Sequence, residues 1–319
     1  MKSIYLLLLF FISAFAYSQE MVFVHSYHFE YPWVKEYRQG FESEIDGFNI
    51  HHFQMDTKRR PAEEFEEIAD KAWTFIEQNK PDVVVISDDN ALKYLGPRLT
   101  KNRIPTFFLG INANPRLYVS ITDTITGVLE RHLLENTVHM IKKLQPSVKR
   151  IKIIMDSGAT SHAILETSFS NKTKLLIHGI EVNTYFIGSK ESWFENTKSA
   201  KSEGYDALIM TSFASLKDKS GQHFLMDDVI SWTSSHTPIP LYSFWNYEIG
   251  TGKAIAGVTV SALQQGITAA QQVKQYIDSG IMPMITTPKK GNIVFSQTEL
   301  KRWNIQAPPE LLKRAKLRD

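Results

Sequence analysis

Ser87, Asp88, Asp89 and Asn90 stand directly after four consecutive β-branched residues, Val83, Val84, Val85 and Ile86. A run of that kind, with no polar alternation, predicts a strand buried on both faces of a parallel sheet. In an open α/β sheet the ligand crevice lies beyond the carboxyl ends of the strands, so two carboxylates, a hydroxyl and an amide fall where a solute can be held. The chemistry on offer is recognition: a carboxylate or amide orients a polar ligand, and aromatic rings cover its apolar part. The same four residues also suit a helix N-cap, because Ala91, Leu92, Lys93, Tyr94 and Leu95 follow at once.

Other chemistries find no complete pattern. There is no Gly-x-Ser-x-Gly elbow and no His-Glu-x-x-His. His25 and His28 have HxxH spacing, and His51 adjoins His52, but neither pair has a third or fourth ligand, so no metal is expected. Gly250, Gly252 and Lys253 resemble part of a phosphate loop, yet Tyr247 stands where its first glycine belongs and Ala254 follows the lysine. Nor is Gly-x-Gly-x-x-Gly completed, since residue 255 is Ile; the segment reads as a turn. No catalytic residue and no cofactor is expected, although a fold alone does not exclude catalysis.

These residues need elements to position them, and the chain supplies strands and helices in alternation. Residues 21–25 form a first strand, followed by Trp33, Val34, Tyr37 and Phe41 at helical spacing. A second strand spans 48–55, and Pro61 opens a helix whose apolar face is Phe65, Ile68, Ala72, Phe75 and Ile76. The 83–86 strand, a short helix and a strand over 104–111 complete a βαβα series, which short right-handed connections wind into a doubly wound parallel sheet. A second series begins with a strand over 124–130 and a helix over 133–144. Strands over 150–155, 180–187, 207–210 and 241–244 follow, with the longest helix over 262–277. Each strand ends on small polar residues, so two such lobes facing one another would enclose a solute between their rims.

The composition agrees with a globular chain of one large or two ordinary domains: 319 residues, 43% apolar, 22% charged. A net charge of +2 gives no basic patch for nucleic acid, and no interior run of eighteen apolar residues crosses a membrane. Residues 1–18 read as a signal peptide: Lys2 is basic, 4–12 is apolar, and Ala14 and Ala16 flank Phe15. Without cysteine there is neither a disulfide framework nor a lipid-bearing residue, so an exported, periplasmic protein is expected. The expected division is a signal peptide 1–18, a first α/β lobe 19–125, a second 126–260, and a closing segment 261–319 that packs across both. Hinges are expected near 112–130, at 257–261 and after Gly280, with Gly127, Glu130 and Gly257 as candidate residues. Asp56, Lys58 and Arg59 read as a solvated charged loop.

Several segments carry a resemblance. They are Val24 to His28 with Pro32 and Trp33, Gly40 with Phe41, 56–59, 87–91, 110–112, 126–130, and the C-terminal stretch 292–315 with its Trp303, Asn304, Pro308 and Pro309. Together they resemble ABC-transporter substrate-binding proteins of the type I periplasmic binding protein fold, in the branch related to extracytoplasmic sensor domains of histidine kinases and diguanylate cyclases. The resemblance implies two Rossmann-like lobes with a hinge. It implies a partner that is the membrane permease of an ABC transporter or, alternatively, a membrane sensor protein, with the receptor itself a monomer. By the strand-end rule and the resemblance alike, the ligand-binding candidates are Ser26, Tyr27, His28, Trp33, Asp88, Asp89 and Asn112 in the first lobe. The second lobe offers Asp156, Ser157, Thr211, Phe213, Trp245 and Tyr247. Trp33 and Phe213 also suit a plug between sheet and helix. Acidic rims with aromatic rings suit an amine, an amino acid or another zwitterion.

Overall fold

The structure is a computed structural model that describes residues 19–221, 226–288 and 291–319. The expected signal peptide therefore lies outside the described residues. Two α/β lobes are present. The first contains β1 (Gln19–His25), α1 (Pro32–Glu42), β2 (Phe48–Gln54), α2 (Phe65–Asn79), β3 (Val83–Ser87), α3 (Asp88–Lys101), β4 (Thr106–Ile111) and β5 (Ile125–Leu129). Its five strands are parallel in the order β2-β1-β3-β4-β5. The β-branched run sits in β3 near the centre of this sheet, with Val83 to Ile86 fully buried, as a strand covered by helices on both faces must be.

The second lobe follows with α4 (Leu134–Leu144), β6 (Arg150–Asp156), α5 (Ala159–Ser168), β7 (Lys174–Ile177), β8 (Ile180–Ile187), α6 (Lys190–Ser199), β9 (Ala207–Met210), α7 (Met226–His236), β10 (Leu241–Ser243) and β11 (Ala256–Thr259). The chain ends with α8 (Ala262–Ser279), β12 (Asn292–Phe295), α9 (Gln297–Arg302), α10 (Pro309–Leu312) and β13 (Ala315–Leu317). The second sheet runs β13-β12-β11-β10-β9-β6-β8-β7. Its parallel core, β8-β6-β9-β10-β11, repeats the strand order of the first lobe, and antiparallel β7 and β12 extend it at either side.

Two expected boundaries move. The strand over 124–130 does not begin the second lobe: β5 pairs with β4, so the first sheet extends past residue 125. The closing helix α8 packs on α1 of the first lobe, where Gly40 and Gly266 let the two backbones touch. A Cβ on Gly40 would sit 2.1 Å from the Leu263 carbonyl oxygen, and one on Gly266 would sit 1.9 Å from that of Tyr37. From α8 the chain returns along β5, where Thr286 bridges Val128, before β12 and β13 join the second sheet. The segment after residue 261 thus packs on both lobes. The helix expected from Pro61 starts later, since Pro61 precedes a single 3-10 turn and α2 begins at Phe65.

Two hinge candidates prove to be interior to sheets. Gly127 lies in β5 and Gly257 in β11, and a Cβ there would meet the Phe108 carbonyl oxygen at 2.0 Å and that of Ser243 at 1.9 Å. Each glycine permits close approach within the last parallel strand of its sheet, which is a packing role and not a bending one. Glu130 does stand where the chain leaves the first sheet, and it is buried.

Candidate functional site

Between the lobes lies a cavity walled by Tyr27, Tyr31, Trp33, Lys58, Asp88 and Asn112 from the first lobe and Thr160, Ser212, Phe213, Ala214, Trp245, Tyr247 and Glu248 from the second, with Glu130 at the crossing. Strand ends position most of the polar groups: Asp88 follows β3, Asn112 follows β4, Glu130 follows β5, Ser212 follows β9 and Trp245 follows β10. The rule that ligands lie beyond the carboxyl ends of parallel strands therefore locates the site in both lobes.

The lobes are closed on each other. Tyr27 faces Thr160 across the cavity, and Tyr31 packs edge to face on Tyr247 with ring centres 6.3 Å apart. Asn246 donates to both carboxylate oxygens of Glu36 at 2.9 Å, and the Thr167 hydroxyl donates to the Asn112 carbonyl at 2.9 Å. The space left for water-sized occupants is about 30 Å³. A solute of amino-acid size enters only if the lobes part or side chains move.

Three carboxyl groups dominate the electrostatics. Asp88 has φ +65°, a left-handed conformation that costs a non-glycine residue energy and persists only where its surroundings enforce it. Its Oδ1 accepts from the Trp33 indole at 3.0 Å, while Oδ2 is buried without a hydrogen-bond partner among the described residues. Burial, then the nearby Glu130, push the Asp88 carboxyl well above the ordinary range. Glu130 accepts from Trp245 Nε1 at 3.2 Å and from Asn112 Nδ2 at 3.0 Å, yet burial raises it to about 8. Glu248 is raised to about 8 by burial, against the hydrogen bond it accepts from Ser243. Opposite them, Lys58 Nζ lies 4.3 Å from the Tyr27 ring centre and 4.9 Å from that of Tyr31. Aromatic walls with buried acids, one oxygen of Asp88 unpartnered among the described residues, form a place where a cation gains more than it would in water.

The structure brings Tyr27, Trp33, Asp88, Asn112, Phe213, Trp245 and Tyr247 to this cavity, as the strand ends suggested. It assigns other candidates to the frame. Ser26 donates to the Ser87 carbonyl at 2.6 Å and accepts from the Ala91 amide at 2.8 Å, tying β1 to the start of α3. Asp89 accepts from the amides of Asn112 and Ala113 at 3.1 and 2.9 Å. Asp156 Oδ1 accepts from the Gly158 amide and the Ser161 hydroxyl, and its Oδ2 accepts from the Ser215 amide, so it ties the end of β6 to the approach to α5 and to the loop after β9. His28 lies outside the cavity wall, 3.2 Å from Asp56. Thr211 is buried beneath the wall, and Ser157 lines a neighbouring chamber.

Sequence reasoning missed Tyr31, Thr160, Ser212 and Glu248 in the wall, and it placed Lys58 in a solvated loop. Asp56 and Arg59 do form such a loop pair, at 2.7 Å, but Lys58 between them turns inward over two tyrosine rings. The only signal for it was the company of aromatic residues at 27 and 31. His25 is equally internal: it contacts the Tyr37 hydroxyl at 2.7 Å and His52 at 3.0 Å. Among the described residues no three His, Asp or Glu side chains are grouped so as to hold a metal ion.

The fold is shared with solved structures of low sequence identity. One is the ABC domain from Streptococcus pneumonia in complex with L-Trp, 17% identical over 95% of this chain and 100% of that chain, TM-score 0.69. A conserved domain protein from Vibrio cholerae is 18% identical over 95% and 100%, TM-score 0.68. The ligand-free, open form of CD0873 from Clostridium difficile, a substrate binding protein with adhesive properties, is 14% identical over 94% and 98%, TM-score 0.64. No curated protein matches the chain. The match to the ABC transporter substrate binding protein family runs over residues 29–318, nearly all that the structure describes, and the chain belongs to that family.

Proposed function

We infer that this protein is an exported, periplasmic solute receptor that captures a small organic amine or amino acid between its lobes and presents it to the permease of an ABC importer. One observation carries the choice of solute class: Asp88 Oδ2, buried and without a hydrogen-bond partner among the described residues, belongs to the wall of an aromatic cavity that also contains Glu130. A protonated amine supplies the missing donor and a charge that draws both acids into their ionised form. The similar Streptococcus domain was solved with L-Trp, which agrees with an amine-bearing solute in an aromatic pocket. The receptor performs no chemistry in this reading. Solute contacts made by both lobes favour the closed form, and that difference in affinity shifts the open and closed populations.

Calorimetry of the purified protein against tyramine, tryptophan, tyrosine and small carboxylates tests this. The amine-bearing compounds bind to wild type and lose affinity in Asp88→Asn, whereas equal binding in both proteins sinks the cationic-group idea. Solute uptake measured in cells with and without the gene for this protein separates delivery to a permease from reporting to a sensor kinase or cyclase.

A further inference from the structure

The cleft has a second compartment. A chamber of about 570 Å³ continues from the aromatic cavity, sharing Tyr27, Lys58, Thr160, Ser212 and Ala214 with it. Its character is opposite. Lys58 and Lys93 enter its wall from the first lobe and Lys217 from the second, while the remaining cation, Arg60, is held by Glu64 at 2.9 Å. The chamber's two carboxylates are already committed: Asp89 accepts two backbone amides, and Asp156 accepts the amides of Gly158 and Ser215 with the Ser161 hydroxyl. None of the three lysines forms an ion pair among the described residues. The first turn of α5, entered through Gly158 without a side-chain cap, completes the wall and adds the positive end of a helix dipole. The aromatic cavity therefore sets three acids against one lysine, whereas the adjoining chamber sets three lysines against carboxylates that are already bonded.

We propose that the chamber receives a carboxylate arm of the same solute whose amine meets Asp88, so that the natural solute is an extended amine with an anionic tail, longer than a free amino acid. The proposal rests on amine capture for its orientation, but Lys93 and Lys217 line only the chamber and so separate the two ideas experimentally.

The probes are dipeptide pairs of equal length, alanylglutamate with alanylglutamine amide and tyrosylglutamate with tyrosylglutamine amide, titrated calorimetrically into the purified protein. The acidic member of a pair binds about tenfold more tightly, the range of a charge-assisted contact in a partly enclosed site. Lys93→Ala/Lys217→Ala removes that advantage and leaves the uncharged member's affinity in place. Asp88→Asn weakens both members alike and preserves their ratio. No advantage for the acidic member, or an advantage that survives in the double lysine variant, overturns the proposal. Succinate, which has no amine, reports on the chamber alone through thermal shift. Salt-sensitive stabilisation of wild type that is absent in the double variant supports the chamber even if amine capture fails, and equal stabilisation of both proteins overturns the chamber even if amines bind.

Discussion

The two lobes are built on one plan and differ at the ends of their strands. The parallel core of each has the same strand order, and in each the last parallel strand carries a glycine pressed on its neighbour's carbonyl, Gly127 against Phe108 and Gly257 against Ser243. Asp88 and Asp156 each end or follow a buried apolar strand and precede a helix, so locally they look alike. Their surroundings make them unlike. Asp156 has its oxygens filled by amides and hydroxyls of its own lobe, and it holds α5 in place. Asp88 has a left-handed backbone and lines the cleft, where one of its oxygens has no hydrogen-bond partner among the described residues. A carboxylate satisfied within its lobe is part of the frame, whereas one that the lobe leaves unsatisfied is available to a solute.

The likeness is tested most severely by Gly127→Ala and Gly257→Ala. Either Cβ collides with backbone, so each variant loses about 3 kcal/mol or more, read as a lower urea midpoint. A wild-type midpoint in either variant would break the symmetry between the lobes.

The difference is tested by asparagine at the two aspartates. Asp88→Asn lowers affinity for an amine by about ten- to a hundredfold, because an ionic acceptor is lost. Its stability stays near wild type, since Asn resembles the protonated carboxyl that burial already favours. Asp156→Asn does the reverse: an amide NH₂ placed against donors costs about 2 kcal/mol of stability while the folded protein still binds. Calorimetry and thermal melts on the same pair distinguish the two roles, and the contrast fails if both variants change in the same property.

A smaller effect is expected from the contact between the lobes. Tyr27→Phe deletes a polar group that faces Thr160 of the other lobe, favouring the open form and weakening solute affinity by about threefold, with the melting temperature nearly constant. Fluorescence titration checks it, and tighter binding would show that the contact opposes closure.

A further expected effect follows pH. Burial raises Glu130 and Glu248 to about 8, so the empty folded state holds protons that the unfolded chain releases near pH 4.5. Their contribution to stability is full below pH 4.5 and fades as pH rises through 8. The solute-free melting temperature falls between pH 6 and 9, and Glu130→Gln flattens the decline. Affinity for an amine moves the other way over that range, because the ionised acids are the forms that attract it. Below pH 6 the buried neutral histidines act oppositely: His52 is lowered to about 4 and His132 to about 3, both chiefly by burial. Their contribution is present above the ordinary histidine range and is lost as pH falls.

Much of the frame was legible because it is local. Val83 to Ile86 state a buried parallel strand in four residues, and helical spacing places Trp33, Tyr37 and Phe41 on one face of α1. The lobe boundary was not legible, since nothing within 125–129 tells whether that strand adds to the sheet before it or begins the one after it. Pairing with β4 decides it. A closing segment packed on both lobes was expected, but the seat of α8 on α1 depends on Gly40 and Gly266 meeting across more than two hundred residues.

For the site, residue order alone determined that polar and aromatic groups collect at strand ends, because strand periodicity and the position of each polar terminus are properties of short segments. It did not determine which of those groups face a solute. Lys58 turning inward, Asp156 being fully bonded and Asp88 being left with an open oxygen all depend on groups from distant segments. Hydrogen-bond satisfaction inside a protein is settled by what the packed chain brings within 3 Å of each atom, and only the tertiary structure brings it there.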